Sequence, residues 1–235
     1  MGNLRLLCEV RTNLGHALGV IGRYALAERT LRDAATAAER IGLPGAVAHA
    51  AQNLGLVLAR EGKLEEARAM ESTSIETWRT LRNPRMEGGS RMYLATIAEL
   101  AGDLDAAERE ARAAVEALAS VPPVRCYALA ILAHVLLQRN KTPEALQHAQ
   151  ESMRLLEQLG QIEEGESAVR LIHAEVHHQL GQVDTAKASI EAARDRLLAR
   201  SAKIRDSEWR RCFLENVREN ARTLALATAW ARPTT

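Results

Sequence analysis

Residues 53–68 read NLGLVLAREGKLEEAR, and the same pattern returns along most of the chain. Four further copies occur at 13–28 (NLGHALGVIGRYALAE), 93–108 (YLATIAELAGDLDAAE), 131–146 (ILAHVLLQRNKTPEAL) and 172–187 (IHAEVHHQLGQVDTAK). Each copy has a turn-forming residue followed five positions later by alanine. The turn residues are Gly22, Gly62, Gly102, Asn140 and Gly181, separated by steps of 40, 40, 38 and 41. A repeat period near 40 residues is typical of arrays of small structural units.

Each copy is predicted to form two helices that meet at the turn residue. Gly and Asn tolerate the left-handed conformation that commonly ends a helix. Asp103 and Thr142 are the predicted N-caps of two second helices, and apolar or small residues then recur at helical spacing. The composition agrees, since 42 alanines and 32 leucines favour helices and seven aromatic residues are few for a sheet. We therefore predict an all-α solenoid of about five helix pairs.

Pro and Gly residues separate the predicted units, which cover 4–43, 44–83, 84–122, 123–160 and 161–200. No other linker is visible, so no domain boundary is expected within residues 1–200. Residues 201–235 are predicted to form one or two helices that cap the array, because an uncapped solenoid exposes an apolar face. Trp209 and Phe213 are four residues apart and are expected to pack on it. The alternative is that these aromatic residues form an exposed partner site.

The repeated positions resemble the tetratricopeptide repeat, which has Leu-Gly in its first helix, Gly at the turn and Ala in its second helix. The resemblance covers about residues 4–200. It implies a right-handed superhelical solenoid that binds a protein or peptide on the concave surface of its first helices. The period exceeds the standard 34 residues. It is similar to that of long-repeat bacterial regulators that sense peptides or small ligands, and longer second helices are expected.

The C-terminal segment looks like the end of such arrays in large bacterial Ser/Thr-kinase and ATPase signalling proteins. The residues that carry this resemblance are Ile204–Asp206, Trp209-Arg210, Phe213–Val217 and Arg222–Ala227. It implies that the chain is a C-terminal sensor or docking region of a longer polypeptide. No nucleotide-binding or kinase motif such as GxGxxG, GxxxxGK[ST] or HRD is present, and we predict a protein that is not an enzyme and binds no cofactor.

Position by position, the resemblance implies a set of groove residues with mixed charge. They are Glu9, Thr12, His16, His49, Gln52, Asn53, Leu56, Arg60, Met92, Thr96, Glu99, Tyr127, His134, Leu137, Gln138, Leu171, Glu175 and His178. This mixture favours a peptide segment or a medium-sized polar ligand over a polyanion. Substitutions at Gln52, Thr96 and His134 are expected to impair binding without much loss of stability, because exposed sites are tolerant.

Asn13 and Asn53 match the asparagine position of the carboxylate clamp found in chaperone-binding members of this family. The Lys and Arg positions of that clamp hold Thr12, His49, Gln52 and Tyr93 instead, so binding of a C-terminal carboxylate by this mechanism is not expected. Two roles stay open for the asparagines. They either hydrogen-bond an extended peptide backbone, or they cap and bridge adjacent helices.

The densest cluster of potential metal ligands is His173, Glu175, His177 and His178. His173 and His177 share one helical face, which could place two imidazoles on a metal ion. Their positions correspond to Leu14 and Leu18, however, so a partly buried, hydrogen-bonded histidine pair is predicted and no metal site.

Composition excludes several function classes. The formal net charge is +1, and Asp and Glu interleave with the arginines of the C-terminal segment, so nucleic-acid binding is not expected. No signal peptide or membrane span is evident, and three isolated cysteines indicate reduced thiols, so a cytoplasmic location is expected. The leading hypothesis is a non-enzymatic protein-interaction module of a bacterial signalling protein. The alternative is a small-molecule or peptide sensor that regulates an attached enzyme.

Overall fold

The computed structural model describes residues 2–231, which form twelve α-helices and no strand. The first six helices are α1 (Gly2–Val20), α2 (Tyr24–Arg40), α3 (Pro44–Arg60), α4 (Leu64–Thr80), α5 (Pro84–Leu100) and α6 (Leu104–Ala117). The other six are α7 (Pro122–Gln138), α8 (Thr142–Leu159), α9 (Glu166–Gln179), α10 (Val183–Ser201), α11 (Ser207–Glu215) and α12 (Arg218–Trp230). The predicted all-α fold of five helix pairs is confirmed.

The turn between the two helices of each pair has the conformation that the sequence predicts. All five turn residues have positive φ, with values of 76° at Gly22, 81° at Gly62, 81° at Gly102, 59° at Asn140 and 72° at Gly181. In the second repeat, the amide of Lys63 donates to the carbonyl of Leu58 at 2.9 Å and so closes the end of α3. A residue in the left-handed conformation lets the following amides bond to the last carbonyls of the helix, which have no partner within the helix.

Helix starts agree only in part with the prediction. The Asp103 side chain caps α6 by accepting from the amide of Ala106 at 3.0 Å. The prediction for Thr142 is wrong, because Thr142 is the first residue of α8 and the preceding Lys141 gives no side-chain cap. The longer repeat also lengthens both helices, since α3 and α4 have 17 residues each, whereas we expected the extra length in the second helices.

The helices group into two compact units, residues 1–120 and 121–235. We expected no boundary within the array, whereas this division separates its first three helix pairs from the last two. The proposed boundary near residue 200 lies inside the second unit. In the first unit, α3 packs against α1, α2, α4 and α5. Its core includes Leu18, Leu31, Leu54, Leu58 and Ile97, which are almost fully buried.

The second unit contains α7 to α12, and α12 packs against both α9 and α10. Ala227 of α12 lies in a buried cluster with Leu171, Ala174 and Ile190. The prediction of one or two helices within residues 201–230 is therefore confirmed, and α12 covers the last helix pair. Residues 232–235 of the predicted capping segment lie outside the described residues.

The two aromatic residues of α11 differ in burial. Phe213 is buried, and the guanidinium carbon of Arg200 lies 5.9 Å from its ring centroid. Trp209 is 37% exposed, so its ring is covered less completely than that of Phe213. The reason is local, because α11 has nine residues and Trp209 lies in its first turn, where Asp206 caps the Trp209 amide.

Candidate functional site

In the first unit, part of the predicted groove reaches solvent on the first helices α1, α3 and α5. We call Glu9, His16, His49, Leu56, Arg60 and Glu99 the first-helix face. Glu9 is exposed and the other five are partly exposed. The face combines carboxylates, imidazoles, a guanidinium and an aliphatic side chain. It can therefore donate and accept hydrogen bonds beside an apolar contact.

His49 marks the point where side chains of three successive first helices act on one another. Burial lowers the pKa of His49, and the nearby His16 and Arg85 lower it further, whereas Glu9 raises it. The imidazole of His49 is therefore held neutral at pH 7 and can both donate and accept a hydrogen bond. Glu9 itself accepts a hydrogen bond at 3.0 Å from Arg5 on the same helix.

Five other predicted groove residues of the first unit are buried. They are Thr12, Gln52, Asn53, Met92 and Thr96. The expectation that Gln52 and Thr96 are tolerant exposed positions is therefore wrong. The cause is the close approach of neighbouring first helices. A β-carbon added at Gly89 of α5 would lie 2.6 Å from Nε2 of Gln52.

At Asn53 the structure shows a contact within one helix, which neither of the two roles considered for the asparagines describes. Asn53 is 6% exposed, and its side-chain amide donates to the carbonyl of His49 at 3.0 Å. This contact lies within α3, so the donor group of Asn53 is used by its own helix. Asn13, at the equivalent position of α1, is exposed.

In the second unit, the predicted groove residues divide in the same way. Tyr127 and Leu171 are buried, whereas His134, Leu137, Gln138, Glu175 and His178 are partly or fully exposed. A nitrogen of Gln138 lies 2.8 Å from Nε2 of His134, one helical turn away. The structure thus brings these two predicted residues together on α7.

The groove residues of α9 contact the C-terminal helix. Arg222 of α12 donates to Glu175 at 2.6 Å, and the ring of Trp230 stacks on His178 with centroids 4.3 Å apart. These contacts bring α12 against the exposed face of α9. Sequence reasoning missed this pairing because it depends on how a non-repeated helix docks.

His173 and His177 form the predicted partly buried, hydrogen-bonded pair. Their Nε2 atoms lie 3.2 Å apart, and Nδ1 of His177 contacts the side-chain oxygen of Gln182. Burial lowers the pKa of His173 to about 4, with His177 adding to the effect. Among the described residues, no group of three or more His, Cys, Asp or Glu side chains is arranged to hold a metal ion.

Arg85 is a site residue that sequence reasoning missed. It lies four residues before Gly89, in the same repeat position as Arg5, and its charge acts on His49. Extending the groove positions one helical turn toward the start of each first helix would have found it.

The helix pairs define an all-α repeat protein built from helical hairpins. The family profile of the Tetratricopeptide repeat matches residues 48–70, 127–151 and 167–192. Each matched segment contains residues of a first helix and of the second helix that follows it. The chain therefore contains tetratricopeptide repeats, as the sequence positions predicted.

Solved structures of similar fold cover nearly the whole chain at low sequence identity. BtubC from P. vanneervenii has a TM-score of 0.57 and 16% identity over 92% of this chain and 93% of that chain. A Rap protein complexed with Competence and Sporulation Factor has a TM-score of 0.66, with 14% identity over 95% of this chain. A signal transduction ATPase with a tetratricopeptide repeat sensor, from Pyrococcus horikoshii, has a TM-score of 0.64, with 15% identity over 97% of this chain.

The chain spans 65% of the Rap protein and 36% of the ATPase. At these identities the similarity shows the fold. No curated protein sequence matches the chain. No helix in residues 2–231 is both long and apolar enough to cross a lipid bilayer.

Proposed function

We propose that the chain is a non-catalytic binding module that takes a protein or peptide segment on the first-helix face. Tetratricopeptide repeats generally mediate protein–protein interaction. The observation that carries the proposal is that polar and apolar side chains of three successive first helices stay accessible in one unit, at Glu9, His16, His49, Leu56, Arg60 and Glu99. Such a set of polar groups beside Leu56 suits an extended segment with alternating polar and apolar side chains.

The charge of the face supports a mixed peptide over a polyanion. Within the face Glu9 and Glu99 oppose Arg60, and Arg85 adds a positive charge that acts on His49. A strongly charged ligand would meet repulsion from the acids or from the arginines. Moderately polar peptides avoid that cost and can use the hydrogen-bonding groups of the face.

A second candidate is a sensor that regulates an attached enzyme. The observation that favours it is the likeness to the Rap protein bound to Competence and Sporulation Factor and to an ATPase with a tetratricopeptide repeat sensor, both longer than this chain. In this role a peptide or small ligand would bind the same face. An effect on a second domain would then distinguish sensing from docking.

The proposal is tested by selecting binders from a displayed peptide library on the intact chain. Affinities are then measured for Leu56→Asp and Glu9→Lys, with Arg109→Glu on the exposed side of α6 as the matched control. We expect at least a tenfold loss of affinity for each face variant and none for the control. Loss of peptide affinity in Arg109→Glu, together with full affinity in both face variants, would contradict the proposal.

A further inference from the structure

A cluster of charged side chains at the start of α9 carries more positive than negative charge. Glu166 is 3% exposed and accepts hydrogen bonds from Nε of Arg196 at 2.7 Å and Nε of Arg170 at 3.1 Å. A third guanidinium, that of Arg200, lies 3.8 Å from the other carboxylate oxygen. Three arginines therefore share one carboxylate, with a net excess of two positive charges.

Arg200 is the arginine of the cluster whose positive charge is compensated least by Glu166. Burial lowers its pKa, Glu166 opposes that shift, and the positive charges of Arg196 and Arg170 lower it further. Its other close contact is with the ring of Phe213, at 5.9 Å from the centroid. Among the described residues, Glu166 is the acid that acts on Arg200, at a distance beyond a hydrogen bond.

The third repeat has the same Glu–Arg pair on its first helix but balances its charges, and Ala117 stands there at the position of Arg196. Its Glu87 and Arg91 occupy the positions of Glu166 and Arg170, and Nη1 of Arg91 binds Glu110 at 2.6 Å. Arg79 also contacts Glu87, at 2.9 Å, so two acids match two arginines there. In the fifth repeat the position of Glu110 is held by Ser189.

We propose that Arg170, Arg196 and Arg200 form a binding site for a phosphate monoester. A phosphate monoester carries about −1.5 to −2 charges at pH 7, which matches the net excess of the cluster. Glu166 takes Nε and Nη2 of Arg196 and Nε of Arg170, so the phosphate would be bound by the Nη groups of Arg170, Nη1 of Arg196 and the guanidinium of Arg200. The side chains of the three arginines keep between 19% and 36% of their surface exposed, so an anion can reach them.

A carboxylate ligand fits this cluster less well, because one negative charge would leave the site positive. Glu166 holds the arginines together and so preorganises them for a second anion. The site uses none of the residues of the first-helix face. It is therefore independent of the proposed peptide function.

The test is titration calorimetry of the full chain with inorganic phosphate, phosphoserine and serine. We expect saturable binding of both phosphate compounds and none of serine. Arg200→Gln should weaken binding at least tenfold and leave the melting temperature equal or higher, because it removes repulsion. Arg194→Gln is the matched control on the same helix, since Arg194 pairs with Asp195 at 2.8 Å.

Ser189→Glu supplies the acid that the third repeat has at this position. It should weaken phosphate binding at least tenfold without loss of stability, because it lowers the net excess from two positive charges to one. Tighter binding of phosphoserine than of phosphate assigns the site to a modified side chain, and equal binding assigns it to free phosphate. No saturable phosphate binding to the wild type, or unchanged affinity in both Arg200→Gln and Ser189→Glu, would overturn the proposal.

Discussion

Arg82 is a residue in a conformation that favours glycine. Its φ is 50°, and it follows α4 at the position where Gly42, with φ of 67°, follows α2. A side chain in this left-handed region costs about 1–2 kcal/mol. Arg82→Gly should therefore raise the free energy of unfolding by about 1 kcal/mol, after allowing for the greater flexibility of unfolded glycine. Urea denaturation measures this change.

Gly62→Ala is the reverse of Arg82→Gly, because it adds a side chain to a residue in the left-handed conformation. A β-carbon at Gly62 would meet no atom within 4 Å, so its effect isolates the backbone conformation. We expect a loss of about 1 kcal/mol. A stabilising Gly62→Ala, or an Arg82→Gly that loses stability, would show that left-handed strain does not govern these turns.

His173 is expected to make stability depend on pH. Its folded pKa is about 4 because burial and His177 disfavour the charged form. The unfolded chain takes up this proton near pH 6.5. The stabilising effect of a neutral His173 is thus complete above pH 6.5 and is lost as the pH falls from 6.5 toward 4, by up to about 3 kcal/mol.

The matched variant is His173→Leu, because the other four repeats carry leucine at this position. Unfolding measured at several pH values between 4 and 7 should show a shallower slope for the variant. A variant with the same slope as the wild type would assign the pH dependence to other groups.

At the scale of the element, the C-terminal helices are expected to stabilise the second unit. Phe213→Ala should lower the free energy of unfolding by about 3 kcal/mol, since it removes a buried aromatic side chain. Trp209→Ala should cost less than Phe213→Ala, because 37% of Trp209 remains exposed whereas Phe213 is buried. Thermal and urea unfolding distinguish the two. A larger loss at Trp209 than at Phe213 would reverse our assignment of the packed ring.

The repeat pattern predicted helices and turns well, because both depend on residues close in sequence. The positive φ at Gly62 and Asn140 follows from the residue type and the spacing alone. Burial of Gln52 was not predictable, since it depends on how closely α5 approaches α3. The same holds for Glu166 and Arg196, which are 30 residues apart and meet only after the helices pack.

At the scale of the whole molecule, the chain consists of two compact units, each with its own buried core. We expect residues 1–120 and 121–235 to fold when expressed separately, because each exceeds the size below which a core becomes insufficient. Circular dichroism should show helical spectra and cooperative melting for both fragments. A fragment without cooperative melting would show that its core requires the other unit.

The central claim is that the first-helix face binds a protein or peptide segment. Hydrogen–deuterium exchange of the intact chain, with and without a selected peptide, tests it most directly. We predict slower exchange in α1, α3 and α5, and unchanged exchange in α2, α4 and α6. Protection confined to the second helices, with none on α1, α3 and α5, would contradict the claim.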